Sequence, residues 1–191
     1  MNFEKVIIVG AGPAGLATAL QLERFGIKPM VIEKDLVGGL LHNANLVENY
    51  PGFPGGISGP QLVELFKDQV REYHINFLEG KVEQLDYFKD RFELLVSGHT
   101  FYCEVAVIAS GTKPRPFTDF DIPSELQDKV FYEVYPLLDE NGKDIAIVGA
   151  GDAAFDYAIN LARNNNVVIL NRGRGQTVSF TKTSGATMNT T

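Results

Sequence analysis

The stretch IVGAGPAGLATA at residues 8–19 returns as IVGAGDAAFDYA at residues 147–158. One constant offset lays Gly10 on Gly149, Gly12 on Gly151, Gly15 on Ala154, Ala19 on Ala158, Leu22 on Leu161 and Arg24 on Arg163, without a gap. Such self-similarity marks a repeated structural unit. Each copy follows a short β-branched run and opens a stretch with apolar residues at helical spacing. Each then reaches a second apolar run, residues 29–33 in the first copy and the run leading into ILNRGRG in the second. The order is strand, glycine turn, helix, strand, a complete opening for binding a dinucleotide.

Each small residue of the turn has a mechanical task. The first glycine allows the tight turn off the strand. The second lets backbone approach a pyrophosphate, and the third position lets the helix pack against the strand. The helix N-terminus then offers unpaired N–H groups and the positive end of its dipole to the anion. The candidate cofactor-binding residues are therefore Gly10, Gly12, Pro13, Ala14 and Gly15 in one turn, and Gly149, Gly151, Asp152, Ala153 and Ala154 in the other.

The copies differ at the end of the second strand. Glu33, with Lys34 beside it, closes that strand in the first copy, and an acid there suits an adenosine ribose with both hydroxyls free. The matching residue of the second copy is Arg172, with Arg174 just beyond. Arginine cannot accept from a ribose hydroxyl, but it pairs with a 2′-phosphate through charge-assisted bonds. The expected cofactors are FAD on the first turn and NADP, as NADPH rather than NADH, on the second. A nicotinamide gives a hydride and a flavin takes it, so the two sites together point to electron transfer.

Between the copies, residues 34–59 are rich in glycine and proline, too long for an idle connection. Pro60 suits the first turn of a helix whose face carries Leu62, Leu65, Phe66, Val70 and Tyr73. Residues 75–109 divide into strands, with a hairpin about Lys89 and Asp90. Residues 113–143 read as a charged, proline-containing linker with a short strand near Val130 and Phe131. After Gly173 the threonine-rich tail shows no further strand–helix unit, so the second copy looks cut short and its sheet edge open to association.

Of the 191 residues 45% are apolar, enough for a substantial core. The net charge of −7, without a basic block, excludes a nucleic-acid partner. No apolar run is long enough for a membrane span. The single cysteine, Cys103, falls in an expected strand and reads as a buried thiol, which fits a cytoplasmic location. His42 reads as a solvated loop residue, and no cluster suggests a metal or a Ser-His-Asp triad.

Two further stretches carry a resemblance. GGLLHNANLVENYPGFPGGISGPQLVELF, above all its part VENYPGFPGGISGP, is similar to the flavin-wrapping loop of thioredoxin reductases. VIASGTKPRP is similar to the turn, usually Ala-Thr-Gly, where the chain leaves their flavin domain. The resemblance runs from residue 3 to about 174 and implies a two-dinucleotide-binding-domain flavoprotein. The implied fold is α/β. A Rossmann-like FAD-binding domain with a small inserted β-meander spans residues 1–113, and the start of a second Rossmann-like NAD(P)-binding domain spans residues 114–191. It implies that Gly38, Gly39, Leu40 and Asn49 lie along the flavin, that Tyr50 stacks on or borders its ring, and that Val82 meets the adenine. Ala109, Ser110 and Gly111 form the exit turn. It assigns the chemistry to the flavin and to no catalytic side chain.

Thioredoxin reductases carry a CxxC pair just before the second glycine turn. Here that stretch is VFYEVYPLLDENGKDIAIVG, without cysteine. The nearest functional relatives lacking cysteines are ferredoxin– or flavodoxin–NADP reductases of thioredoxin-reductase type. The implied function is an FAD-dependent oxidoreductase taking hydride from NADPH and passing electrons to a ferredoxin, a flavodoxin, a quinone or a partner disulfide. The implied assembly is a homodimer. The alternatives are a dinucleotide-binding redox module without catalysis and a thioredoxin reductase relative that has lost its dithiol.

Overall fold

In the computed structural model the described residues are 2–114, 116, 121–171, 177–180 and 189–190. By internal contacts the chain falls into two units, Met1–His42 with Pro60–Thr112, and Asn43–Gly59 with Lys113–Thr191.

The first unit begins with strand β1, Asn2–Val9, where Val6, Ile7 and Ile8 are all buried. Consecutive strand residues point to opposite faces, so both faces of this strand are covered. Helix α1, Pro13–Arg24, starts on the N-cap Gly12 with proline in its first turn. It buries Gly15, Leu16 and Ala19 and ends where Gly26 takes φ +73°. Strand β2, Pro29–Glu33, returns parallel to β1 with Val9 opposite Ile32.

Helix α2, Gly59–Glu72, buries Leu62, Val63, Phe66 and Val70. Leu65 and Tyr73, expected on that face, are exposed, and Val63, on the other flank of the stripe from Leu65, is buried.

Strands β3 (Asn76–Glu79), β4 (Val82–Phe88), β5 (Arg91–Val96) and β6 (His99–Ile108) complete a six-stranded sheet ordered β3-β2-β1-β6-β5-β4. The meander strands β4 and β5 are antiparallel, and the ten-residue β6 continues from them to run parallel beside β1. The turn between β4 and β5 holds Lys89 and Asp90 at φ +52° and +61°, the paired left-handed residues of a tight hairpin. Ile7, Ile32, Leu94, Val96, Phe101 and Cys103 form one buried cluster of this unit.

The second unit repeats the opening. Strand β7 (Asp144–Val148), helix α3 (Asp152–Leu161) and strand β8 (Asn166–Leu170) correspond to β1, α1 and β2, and β7 and β8 are parallel. Two strands follow that the tail did not announce, β9 (Thr177–Phe180) and β10 (Asn189–Thr190), both antiparallel, giving the order β10-β9-β8-β7. Only the four residues TVSF of β9 alternate polar and apolar, and β10 is the pair Asn189–Thr190, so each is too short to stand out by pattern alone. In β7 exposure alternates, with Asp144, Ala146 and Val148 exposed while Ile145 and Ile147 are half-buried. The repeated phrase is thus covered on both faces in one unit and on one face in the other.

Val130 and Phe131 form no strand. Short 3-10 turns at Ser124–Lys129 and Tyr135–Leu137 flank them, and Val134 is buried with Ala158, Leu161, Val167 and Ile169. This part of the expected linker is therefore core. Its anchor is Asn165, 2% exposed, which accepts from the Lys143 N–H at 3.0 Å and donates to the carbonyls of Glu140 at 2.9 Å and Leu161 at 3.0 Å. Asn165→Ala would take that partner from three backbone groups, of which the Leu161 carbonyl is buried and the other two partly so. It is expected to cost about 2 kcal/mol in urea unfolding of the second unit.

Candidate functional site

The two glycine turns have matching backbone geometry. Gly10 has φ +106° and Gly149 φ +114°, where a side chain would be strained. The N–H of Gly10 donates to Ile32 O at 2.8 Å, and that of Gly149 to Leu170 O at 2.9 Å. Gly12 (φ −75°, ψ −178°) and Gly151 (φ −85°, ψ 173°) are both extended N-caps, and neither helix has a side-chain cap. The first N–H groups of both helices are thus left for a ligand or water.

The turns differ in their surroundings. A Cβ on Gly10 would meet Ala109 O at 2.3 Å, and one on Gly15 would meet Gly10 O at 1.9 Å. The end of β6 closes the first turn, and Ala109 N–H donates to Val9 O at 2.8 Å. Cβ atoms on Gly12, Gly149 and Gly151 would meet nothing within 4 Å. Space next to Gly12 therefore lies inside an otherwise close-packed turn. In the second turn Asp152, Ala153 and Ala154 open α3, with Ala154 half-buried. Gly151 O accepts from both Ala154 N–H at 2.9 Å and Phe155 N–H at 3.3 Å, while Gly12 O accepts from Leu16 N–H at 3.0 Å in the α pattern.

Glu33 is drawn to the first turn. Its Oε2 accepts from the Ala11 N–H at 2.7 Å and its Oε1 from the Asp35 N–H at 2.9 Å. Each oxygen retains a further lone pair for a hydroxyl. Lys34 is exposed and pairs with Asp35 at 2.5 Å. Gly38 donates its N–H to Ala11 O at 2.8 Å. Its φ is +109° and a Cβ there would strike the Val63 methyls at 2.5 and 2.7 Å, so both conformation and space require glycine. Gly39 stands beside Gly12, 3.6 Å from its would-be Cβ to the Gly12 Cα. The structure thus brings Gly10, Gly12, Gly15, Glu33, Gly38, Gly39 and Ala109 together. Leu40 is exposed in the 3-10 turn Gly39–Asn43, Ser110 and Gly111 are exposed, and Val82 is half-buried at the start of β4. Arg172 and Arg174 lie outside the described residues.

Asn49 is exposed and Tyr50 half-buried, its ring 6.4 Å from that of Phe53. Both stand on residues 43–59, which the sequence places with the first domain. By contacts this segment groups with the second unit. Polar bonds accompany this grouping: Asn43 Oδ1 accepts from the Tyr135 N–H at 2.9 Å, and Asn45 is bonded to Asp156 and Arg163. None of these pairs leaves a signal in spacing or composition.

His42 is buried, not solvated, and its Nε2 lies 2.9 Å from Val37 O. Asn43, 3% exposed, has a buried Nδ2 without a partner. Cys103 is buried as expected, and burial pushes its thiol above the ordinary range. A thiol-reactive disulfide reagent is expected to leave it unlabelled in the folded protein at pH 8 and to titrate one thiol after denaturation. Prompt labelling without denaturant would contradict its burial.

Two strand–turn–helix–strand units of one geometry on a single chain define a protein built from paired dinucleotide-type folds. The chain belongs to the pyridine nucleotide-disulphide oxidoreductase family, whose model matches residues 4–183. It is 30% identical over 177 residues to a thioredoxin reductase of Chlamydia trachomatis, covering 85% of this chain and 55% of that protein. A thioredoxin reductase of Pneumocystis jirovecii is 33% identical over 185 residues, covering 87% of this chain and 54% of that one. The crystal structure of T. acidophilum thioredoxin reductase matches with a TM-score of 0.76 at 23% identity, over 100% of this chain and 75% of the other, a likeness of fold. The chain spans about half the length of the curated relatives it matches. No described helix is long and apolar enough to cross a membrane.

Proposed function

We propose that the chain is an FAD-dependent oxidoreductase that takes hydride from NADPH and hands electrons to an acceptor outside this sequence. The observation that carries this reading is the matched geometry of the two glycine turns. The residues of the first turn fit FAD. Gly10 and Gly15 are closed against backbone, which holds the turn, while the space at Gly12 stays free for a pyrophosphate. Glu33 keeps acceptor capacity for ribose hydroxyls, and the N-terminus of α1 keeps its N–H groups. Bound FAD would supply hydride acceptance and onward one- or two-electron transfer.

The second turn is matched to NADPH by Gly149, Gly151 and the N-terminus of α3, with Arg172 and Arg174 supplying the 2′-phosphate preference by sequence. Asn49 and Tyr50 are assigned to the flavin's edge and ring, and the unpartnered Asn43 Nδ2 is a further donor on the same segment. Cys103 is the sole cysteine and is buried, so a dithiol within this sequence does not carry the electrons. The acceptor classes are a ferredoxin, a flavodoxin, a quinone or a disulfide on another protein. We assign the protein to the cytoplasm as a homodimer.

The test is a spectrum. Purified protein, or protein incubated with FAD, is expected to show oxidised-flavin bands that bleach when NADPH is added without oxygen. A protein that stays colourless after reconstitution overturns the reading, and a yellow protein that NADPH fails to bleach reduces it to cofactor binding alone. Arg172→Glu is expected to weaken NADPH binding by roughly 10- to 100-fold, the worth of a charge-assisted bond, and to leave NADH binding nearly unchanged. Equal affinities before and after would remove Arg172 from the site.

A further inference from the structure

We infer that Asp156 and Arg163 are positioning residues for the loop of residues 44–59: they grip Asn45, so that the segment bearing Asn49 and Tyr50 moves with α3. Asn45 donates its backbone N–H to Asp156 Oδ2 at 3.0 Å, and its side-chain Oδ1 accepts from Arg163 Nη2 at 2.7 Å. Asp156 and Arg163 are two helical turns apart, so they project from one side of α3 and its end and hold one residue at two atoms. The repeat makes the grip particular to this unit: Arg163 aligns with Arg24, which ends α1 in the last turn as an ordinary exposed cation.

The gripped loop is bonded to itself. Gly59 N–H closes its base on Ala44 O at 3.0 Å. Val47 and Ile57 exchange bonds of 2.8 and 3.1 Å, and Gly56 N–H reaches Phe53 O at 2.9 Å. A loop tied in this way transmits a displacement of its base to its tip. Next to the base, Asn43 takes the Tyr135 N–H at 2.9 Å, a second tether within the unit. A dinucleotide at residues 149–154 steadies the N-terminus of α3, and the same helix carries the grip. This last consequence rests on the proposed NADPH site; the grip itself does not.

Hydrogen exchange on the whole chain, read on peptides covering residues 44–59, tests the inference. Asp156→Ala with Arg163→Ala is expected to raise exchange at Asn45, Val47 and Ile57 by about tenfold, with β1 and β2 unchanged. Asp156→Asn with Arg163→Lys keeps an acceptor and a donor and is expected to restore protection. Asn45→Ala is expected to add nothing to Arg163→Ala. In the wild type NADPH is expected to slow exchange in the loop, and in the double alanine variant NADPH is expected to bind, by fluorescence quenching, without slowing it. Unchanged loop exchange in the double alanine variant overturns the positioning role. NADPH that protects the loop equally in both proteins does the same. If NADPH fails to bind the wild type, the proposed function falls, and the first comparison still decides the grip.

Discussion

Gly15→Ala is expected to lower the melting temperature of the protein by roughly 10 °C, a loss of about 3–4 kcal/mol, although it adds one methyl group to a helix and replaces a poor helix former with the best. The new Cβ would lie 1.9 Å from Gly10 O and 3.4 Å from the Ala109 Cβ. The carbonyl cannot swing away cheaply, because Gly10 N–H is bonded to Ile32 O at 2.8 Å and the strand on the far side is fastened by Ala109 N–H to Val9 O at 2.8 Å. Overpacking against fixed backbone costs more than against a side chain that can change rotamer. The control is the other copy: Ala154 already occupies the equivalent place, and Ala154→Gly is expected to cost only about 1 kcal/mol, the propensity term. Calorimetry of both variants decides. A Gly15→Ala protein melting within 3 °C of the wild type, roughly 1 kcal/mol, would mean that the first turn relaxes more easily than its bonds allow.

Gly12→Val is expected to do the opposite, sparing the fold and abolishing the ligand. Its φ of −75° and ψ of −178° are open to any residue, and a Cβ there meets nothing within 4 Å. The expected stability loss is about 1 kcal/mol, from a poorer N-cap. FAD binding is expected to fall by roughly 100-fold or more, because the branched side chain fills the room a pyrophosphate requires and covers the N–H groups at the start of α1. Gly151→Val is expected to do the same to NADPH and to leave FAD in place. Flavin absorbance after desalting, and NADPH titration of each variant, separate the two sites. A Gly12→Val protein that keeps its flavin would remove the first turn from the cofactor site.

The contrast between these glycines shows what a motif conveys. Gly10, Gly12 and Gly15 look alike in the string, and all three read correctly as parts of one turn. Gly15 is required by the Gly10 carbonyl inside the turn, but Gly10 is closed off by Ala109, far along the chain, whose position at the end of β6 no local pattern specifies. The same holds for α2. Its apolar spacing was legible, but which flank of the stripe is covered was not: Val63, whose methyls lie beside Gly38, is buried, and Leu65 on the opposite flank is exposed. His42 read as solvated because its neighbours are loop residues. Its burial follows from Val37 O, a partner that only the folded loop supplies.

Local physics alone determined the two strand–turn–helix–strand units, the hairpin at Lys89 and Asp90 and the acid at Glu33. Each rests on backbone sterics or on hydrophobic period within a dozen residues, which any sequence displays directly. Tertiary structure decided that residues 43–59 belong with the second unit, that Val134 is core, that β9 and β10 extend the second sheet, and that one copy of the repeat is enclosed while the other is open. Those outcomes depend on hydrogen bonds and contacts between residues far apart in the chain, such as Asn45 with Asp156, and a free energy shared between distant partners is written in neither of them singly.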